Sequence, residues 1–310
     1  MLKRKAFNRI FFTTAIFFVV FSIYSLKHID SSSSHINDNK DVSNEIIYTL
    51  NKDNYISSTA VYVSKILTLE DRIREKLEIM TKENDKNSLL PSYFKPILPQ
   101  NTKVLDVVVE DSLVKVYFSK ELINITEEQS EKMIEAIVYT IVDENILGIE
   151  IYVDNSMLKY VPHSKKSLPT VLTRDIGINK SYDFYYSRDI AKVFMVYYSS
   201  DDSNYYEVPV TRYLNDDREK IEVIFDEFNK MSFDEGLISL LEGVKINSYD
   251  IFKDNIILDI NKDLSDREEN LICKTIFSNY DVDNIKILIN GEKKVKKNRK
   301  DTWKLSLFIV

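Results

Sequence analysis

The hydrophobic and polar positions of this chain run through the same order of predicted elements twice. In the first half, alternating or continuous apolar runs predict strands at 46–50, 59–64, 104–109, 113–118 and 149–153. Helical spacing predicts helices from about 69 and from 126 to 143, the second behind a Thr-Glu-Glu-Gln capping box. The second half predicts strands at 192–198, 205–210, 247–252, 255–260 and 284–289, a polar turn at 199–204, a helix at 216–230, and a helix at 265–278 that is capped by Ser-Asp-Arg-Glu at 265–268. Each half therefore has the order β-β-α-β-β-α-β.

Three sequence segments recur in the same order in the two halves. Residues 61–67 return as 208–214, residues 113–122 as 255–264, and residues 149–155 as 285–291. This period is too long for a solenoid repeat, so it indicates two complete folding units in tandem. We expect an α+β fold in which each module has a mostly antiparallel or mixed sheet packed against two helices.

The first residues have the pattern of a membrane segment. Residues 10–26 carry no charge, and four basic residues precede them: Lys3, Arg4, Lys5 and Arg9. A cationic start keeps the N-terminus in the cytoplasm and directs the chain after the apolar segment to the outer side. We therefore expect a transmembrane helix before the modules, a single-pass protein of the cytoplasmic membrane, and both modules on its outer side. A cleaved signal peptide is the alternative, although the bulky residues at 23–25 disfavour cleavage.

Composition divides the chain into six parts. We expect a cytoplasmic stub and anchor at 1–26, a polar tether at 27–44, the first module at 45–160, a linker at 161–189, the second module at 190–292, and a basic, apolar tail at 293–310. Two interpretations of the tail remain open. It adds a strand to the second sheet, which we favour, or it docks on an anionic surface.

Charge and residue types exclude several function classes. The net charge of −7 and the isoelectric point near 5.3 disfavour a nucleic-acid partner. His28, His35 and His163 fall outside the predicted modules, and the five glycines form no phosphate-binding loop. We therefore expect no metal, no cofactor and no enzymatic activity. The single cysteine, Cys273, lies in an apolar helical run and is expected to be an inert core residue.

Paired carboxylates are the remaining candidates for acid–base chemistry or calcium binding. The pairs are Asp201 with Asp202, Asp216 with Asp217, and Asp281 with Asp283. Each pair falls in a predicted turn or at a helix start, where aspartate is favoured for local reasons. The expected role of these pairs is therefore structural.

Aromatic residues concentrate around the start of the second module. They are Tyr182, Phe184, Tyr185, Tyr186, Tyr197, Tyr198, Tyr205 and Tyr206. Aromatic residues favour strands, so cross-strand packing is expected for those inside predicted strands. Tyrosine and tryptophan are also favoured at interfaces. Tyr185 and Tyr186 in the linker, with Trp303 in the tail, are therefore the candidate partner contacts.

The recurring phrases resemble the GerMN domain, a sporulation and spore germination domain of endospore-forming Gram-positive bacteria. The segments Val-Lys-Val-Tyr-Phe at 114–118 and Ile-Leu-Asp-Ile at 257–260 are similar to its strand, and each precedes a Ser-Lys-Glu-Leu or Asn-Lys-Asp-Leu turn. Residues 61–67 and 208–214 resemble its Val-Pro-Val-x-Arg-x-Leu phrase. The linking phrase at 168–179 resembles the connection between two such domains. The family's usual lipoprotein cysteine is absent, and its Gly- and Pro-rich loop is degenerate at 83–95.

The resemblance implies a non-enzymatic envelope protein that supports complex assembly or peptidoglycan remodelling during sporulation or germination. Its expected partners are envelope or sporulation proteins, with peptidoglycan as a further candidate and the membrane contacted through residues 10–26. The alternative is an extracytoplasmic module that binds glycan or peptidoglycan, or a cell-wall enzyme with an acidic site.

Overall fold

The computed structural model describes residues 42–186, 188–201, 204–230, 236–239 and 241–299. From Ser43 onward, the described residues form one compact unit. The predicted anchor at 10–26 and Trp303 lie outside the described residues. Across the described ranges, no helix has both the length and the apolar character needed to cross a bilayer.

The first module contains seven strands and two helices. Its strands are β1 (Val42–Asn51), β2 (Ile56–Ser64), β3 (Phe94–Lys95), β4 (Val104–Glu110), β5 (Leu113–Phe118), β6 (Gly148–Val153) and β7 (Ser156–Met157). The helices are α1 (Leu69–Ile79) between β2 and β3, and α2 (Glu127–Ile141) between β5 and β6. One sheet has the order β2-β1-β3, and the other has the order β4-β5-β6-β7.

The second module repeats the four-stranded sheet and the two helices of this plan, but its three-stranded sheet has a different strand order. Its strands are β8 (Ser181–Asp183), β9 (Ile190–Asp201), β10 (Asn204–Asn215), β11 (Ile246–Ile251), β12 (Asn255–Ile260), β13 (Asn284–Ile289) and β14 (Glu292–Asn298). The helices are α3 (Lys220–Asn229) and α4 (Asp266–Asn279). The two sheets have the orders β8-β10-β9 and β11-β12-β13-β14. The fold is therefore mixed α+β, but each module has two sheets, and the expectation of one sheet per module is wrong.

Two of the three repeated segments, 113–122 with 255–264 and 149–155 with 285–291, occupy the same place in both modules, whereas residues 61–64 lie in edge strand β2 and residues 208–214 in the central strand β10. Strands β5 and β12 are each the second strand of a four-stranded sheet, antiparallel to the strand before them and parallel to β6 or β13. Both show the same alternation of half-buried and buried residues. Since alternate residues of a strand face opposite sides of the sheet, the apolar set of each strand faces its own module's core. In the four-stranded sheets, the duplication is thus one of topology as well as of sequence.

Several predicted boundaries change. Strand β1 begins at Val42, so the last residues of the predicted tether belong to a strand. Strands β9 and β10 pair over their whole lengths, so residues 199–201 and 204 of the predicted turn belong to strands, and helix α3 begins at Lys220 instead of at 216. The predicted linker is also structured, because it contains strand β8 and three buried core residues, Val161, Leu172 and Ile178. The basic run of the tail forms strand β14.

The two predicted helix caps have different outcomes. Ser265 accepts a hydrogen bond from the Glu268 backbone, and the Glu268 side chain accepts one from the Ser265 backbone, so the capping box of α4 is confirmed. Thr126 precedes α2, but its side chain makes no capping hydrogen bond. The Gln129 side chain instead accepts a hydrogen bond from Lys82 at 3.3 Å. The capping box predicted for α2 is therefore wrong, because its glutamine is engaged elsewhere.

Cys273 lies on the buried face of α4, as predicted, and burial raises the pKa of its thiol to about 12. Because thiolate is the reactive form, we expect native protein at pH 8 to react only slowly with a thiol reagent such as DTNB, and unfolded protein to react rapidly. Measuring the labelling rate with and without urea checks this. Equal rates in the two conditions would show that α4 does not bury the thiol.

Candidate functional site

The two candidate tyrosines lie in the loop that follows edge strand β8. Tyr185 is 89 % exposed and Tyr186 is 76 % exposed. Tyr182 on β8 stacks on Tyr213 of β10 with ring centroids 4.9 Å apart, and the Phe184 ring lies edge-on to Tyr182. We call these five residues the tyrosine surface. It is an aromatic area that continues from a strand onto a loop.

Asn215, at the end of β10, holds the loop of this surface in place. Its side-chain oxygen accepts hydrogen bonds from the backbone N–H groups of Tyr185 at 2.7 Å and Tyr186 at 3.3 Å. Its amide nitrogen donates to the backbone oxygens of Tyr186 and Arg188. One side chain therefore fixes the backbone beneath two exposed rings. Such a loop loses less conformational entropy when a partner binds.

Strand β8 is attached to the module by Arg212, which is 3 % exposed. The Arg212 guanidinium donates to the Ser181 hydroxyl at 2.6 Å and lies 3.5 Å from the Asp183 carboxylate. On its other side it donates to the Glu227 carboxylate of α3 at 3.0 Å. Arg212 thus connects the strand that carries Tyr182 to the buried face of a helix. The buried contacts of Arg212 therefore hold the strand that precedes the exposed tyrosines in place.

The other predicted aromatic residues mostly pack. Tyr197 and Tyr198 are buried in the second core, as expected for strand residues. The Tyr206 ring lies 5.5 Å from the Phe94 ring and 5.6 Å from the Tyr93 ring, so it contacts the first module. Packing therefore accounts for these three, whereas Tyr185 and Tyr186 are solvent-exposed.

A junction of buried polar groups joins the two modules. The Asn179 side chain accepts from the Ile56 N–H at 2.9 Å, and donates to the Ile56 carbonyl at 2.7 Å and the Pro209 carbonyl at 2.8 Å. The Asn179 backbone N–H donates to Glu135 of α2 at 2.8 Å. Thr211 of β10 bonds both the N–H and the carbonyl of Ile178. Strands β2 and β10 are therefore connected through one asparagine.

Electrostatics strengthens this junction. Burial raises the pKa of Glu135, whose carboxylate lies 2.9 Å from the Lys180 ammonium. Burial of Lys180 favours its neutral form, but Glu135 and Glu131 outweigh that effect, and the pKa of Lys180 is raised. The ammonium also contacts Glu131, which a second lysine, Lys166, approaches. The ion pair between Glu135 and Lys180 therefore attaches α2 to the segment between the modules.

A cavity of about 240 Å³ also lies at this junction, lined by both modules. Most of its charged groups bind neighbouring residues of the protein. Lys274 pairs with Glu207, and Arg174 donates to the Tyr139 carbonyl at 3.1 Å while lying over the Tyr139 ring. Arg299 donates to three carbonyls, those of Phe277, Tyr280 and Val282. The cavity therefore has the character of a packed junction and not of a prepared reaction centre.

Among the described residues, the structure does not bring the predicted acidic pairs together into a reaction centre. A hydrogen bond from Arg218 holds the pKa of Asp216 below its ordinary value. Asp281 is fully exposed, 3.7 Å from Arg299. Asp201 lies in β9, and Asp202 falls outside the described residues. In the described part of the chain, no group of His, Cys, Asp or Glu is arranged to hold a metal ion.

Sequence reasoning identified the exposed tyrosines and missed the residues that hold them. Asn215 and Asn179 resemble ordinary turn residues in sequence, because asparagine is common in turns. Arg212 did carry a signal, since it lies in the repeated phrase at 208–214. Its partner Glu227 is 2 % exposed on α3, where an apolar residue is expected.

Fold and repeats together are similar to those of two tandem GerMN modules. The solved structure of the tandem GerMN domains of the sporulation protein GerM from Bacillus subtilis matches with a TM-score of 0.75 at 21 % identity, covering 83 % of this chain and 97 % of that one. Residues 46–159 match the Germane family model, described as sporulation and spore germination. The resemblance to tandem GerMN domain proteins is thus confirmed.

Among individual proteins, the chain is similar to the spore germination protein GerM of Bacillus subtilis (strain 168). The two are 25 % identical over 264 residues, which is 79 % of this chain and 71 % of that protein.

Proposed function

We propose that this chain is a non-enzymatic envelope protein that supports sporulation or germination by binding other proteins. Its similarity to GerM supports the role in sporulation or germination. The proposal places it in the cytoplasmic membrane through residues 10–26, with both modules outside the cytoplasm. Its partners are envelope or sporulation proteins.

The tyrosine surface is the observation that carries this proposal. Large exposed aromatic residues at fixed positions are favoured where proteins meet, because they add contact area at a low cost in side-chain entropy. Asn215 fixes the backbone of Tyr185 and Tyr186, and Arg212 fixes the strand before them. The engagement of most of the cavity's charged groups by neighbouring residues further favours recognition over catalysis.

Glycan binding is the second candidate, and one feature favours it. An open groove of about 630 Å³ beside Tyr186 is lined by Arg188, Asp189, Asn215, Asp216 and Asp217. Aromatic rings next to carboxylates suit sugars as well as protein side chains. Cosedimentation of the protein with purified peptidoglycan tests this candidate.

We expect Tyr185→Ala/Tyr186→Ala to leave the stability unchanged within about 0.5 kcal/mol, because both side chains are exposed. Retention of crosslinked partners in sporulating cells should fall roughly 10- to 100-fold, since tyrosines are frequent binding hot spots. Crosslinking pulldown with quantitative mass spectrometry, compared with thermal unfolding of the purified variant, measures both effects.

The first module offers a matched control. Tyr62→Ala/Tyr160→Ala removes two tyrosines that are 59 % and 57 % exposed, and should leave partner retention unchanged. Asn215→Ala keeps both candidate rings but frees their loop, so it should cause a smaller loss. Equal retention by the wild type and the Tyr185/Tyr186 variant rejects this surface. Loss of peptidoglycan cosedimentation in that variant, with partner retention intact, favours the glycan candidate.

A further inference from the structure

The cavity at the junction of the two modules, which we call the junction cavity, has mostly apolar walls. These walls include Tyr48 and Tyr139 of the first module, and Phe194, Val196 and Phe277 of the second. The volume of about 240 Å³ exceeds the roughly 150 Å³ in which an apolar protein cavity holds benzene, so an aromatic ring with a small substituent fits. Sites for small molecules are common where two domains meet. The junction cavity is therefore a candidate ligand site.

The charged side chains of the junction cavity carry more positive than negative charge. Three cationic side chains line it: Arg174, Lys274 and Arg299. The lining carboxylates are Glu207, which pairs with Lys274, and Asp175, whose side chain is 90 % exposed. Backbone carbonyls hold Arg299, and Asp281, the carboxylate 3.7 Å from it, is fully exposed. Because water screens exposed carboxylates, the interior of the cavity keeps an excess of positive charge and favours an anionic ligand.

Tyr48 of β1 brings a hydroxyl to the junction cavity that the protein itself does not use. The residue is 7 % exposed, and within the described part of the chain its hydroxyl has no hydrogen-bond partner. Burial raises the pKa of this phenol, Arg174 lowers it and Glu207 raises it, so the phenol lies among the charged groups that line the cavity. A hydroxyl donates its strongest hydrogen bonds to charged oxygens. Tyr48 therefore favours a ligand that carries an anionic oxygen.

We propose that the junction cavity binds a small carboxylate that carries an apolar body, such as an aromatic ring. The carboxylate accepts a hydrogen bond from the Tyr48 hydroxyl and lies near the guanidinium groups of Arg174 and Arg299, while the ring packs against the aromatic walls. Because both modules line the cavity, a bound ligand stabilises their arrangement. This site is separate from the tyrosine surface and does not depend on the partner proposed for it.

Benzoate is the probe, compared with benzyl alcohol, which has the ring without the charge, and acetate, which has the carboxylate without the ring. The full chain is titrated with each compound and followed by NMR of its isoleucine and methionine methyl groups. Ile178 and Met195 line the cavity, so their signals should shift with benzoate at a Kd on the order of 1 mM, whereas Met157 of β7 should not respond. Benzyl alcohol and acetate should each bind at least about tenfold more weakly.

Tyr48→Phe should weaken benzoate binding about tenfold, because it removes only the hydroxyl that donates to the carboxylate. The thermal unfolding midpoint of the free protein should stay the same, since that hydroxyl bonds to no other described residue. Tyr62→Phe removes an exposed hydroxyl from strand β2 and should change neither property. Unshifted Ile178 and Met195 signals, equal affinity for benzyl alcohol or acetate, or unchanged benzoate binding by Tyr48→Phe would each overturn the proposal.

Discussion

Arg212→Ala is expected to lower the free energy of unfolding by about 3–5 kcal/mol, the usual cost of removing one partner of a buried ion pair. The Glu227 carboxylate is 2 % exposed and accepts from Arg212 at 3.0 Å, so the substitution leaves a buried charge short of its main partner. The Lys230 ammonium still reaches Glu227 from the surface, which places the expected loss towards the lower end of that range. Urea unfolding followed by circular dichroism measures it.

Arg218 provides the control. It pairs with Asp216 and Asp226 at 2.7 and 2.6 Å but is 45 % exposed, so Arg218→Ala should cost no more than about 1 kcal/mol. The double variant Arg212→Met/Glu227→Leu removes both buried charges and should regain most of the loss. Equal costs for the two arginines would refute the assigned role of Arg212.

The same substitution has a consequence for binding. Arg212 holds Ser181 and Asp183, the two ends of β8, and the tyrosine surface continues directly from that strand. A single buried arginine therefore links the core of the second module to its proposed contact surface. Loss of partner retention in Arg212→Ala would consequently reflect a displaced strand, whereas the loss in Tyr185→Ala/Tyr186→Ala would reflect missing rings.

Strand and helix periodicity could be predicted from sequence because it is a local property. The predicted bounds of β5, β12 and β13 agree with the structure, and α4 follows its capping box. The number of sheets could not be predicted in this way. Alternation tells which face of a strand is buried, but pairing partners depend on contacts between distant residues. The five expected strands per module were therefore assigned to one sheet when they form two.

The role of a residue that acts through tertiary contacts could not be predicted from the sequence either. Asn179 lies among loop residues, and its three side-chain hydrogen bonds reach Ile56 and Pro209, neither of them a neighbour in sequence. Only the fold brings these groups together. Exposed tyrosines, by contrast, could be predicted because their loop position already excludes strand packing. The exposure of Tyr185 and Tyr186 was thus predicted from sequence, and the residues that hold their loop were not.

Asn179→Ala should lower the free energy of unfolding by about 3–5 kcal/mol. Three buried or partly buried backbone groups lose their partner, at about 1 kcal/mol each. The residue also has φ of 43°, in the left-handed region, where alanine costs a further 1–2 kcal/mol or so. Asn179→Gly removes only the second cost and should be about 1 kcal/mol more stable than the alanine variant.

The variant Asn155→Ala distinguishes the cost of the left-handed backbone from the cost of losing the hydrogen bonds of the junction. Its φ is 61°, and it is exposed, so Asn155→Ala should cost only the left-handed penalty of about 1 kcal/mol. Hydrogen exchange locates the difference, because the Ile56 amide should lose protection in Asn179→Ala and keep it in Asn155→Ala. Equal stability losses in the two variants, with Ile56 still protected, would contradict the assignment of Asn179. The expected result makes Asn179 a direct connection between the two modules of this chain, which holds their surfaces in one fixed arrangement.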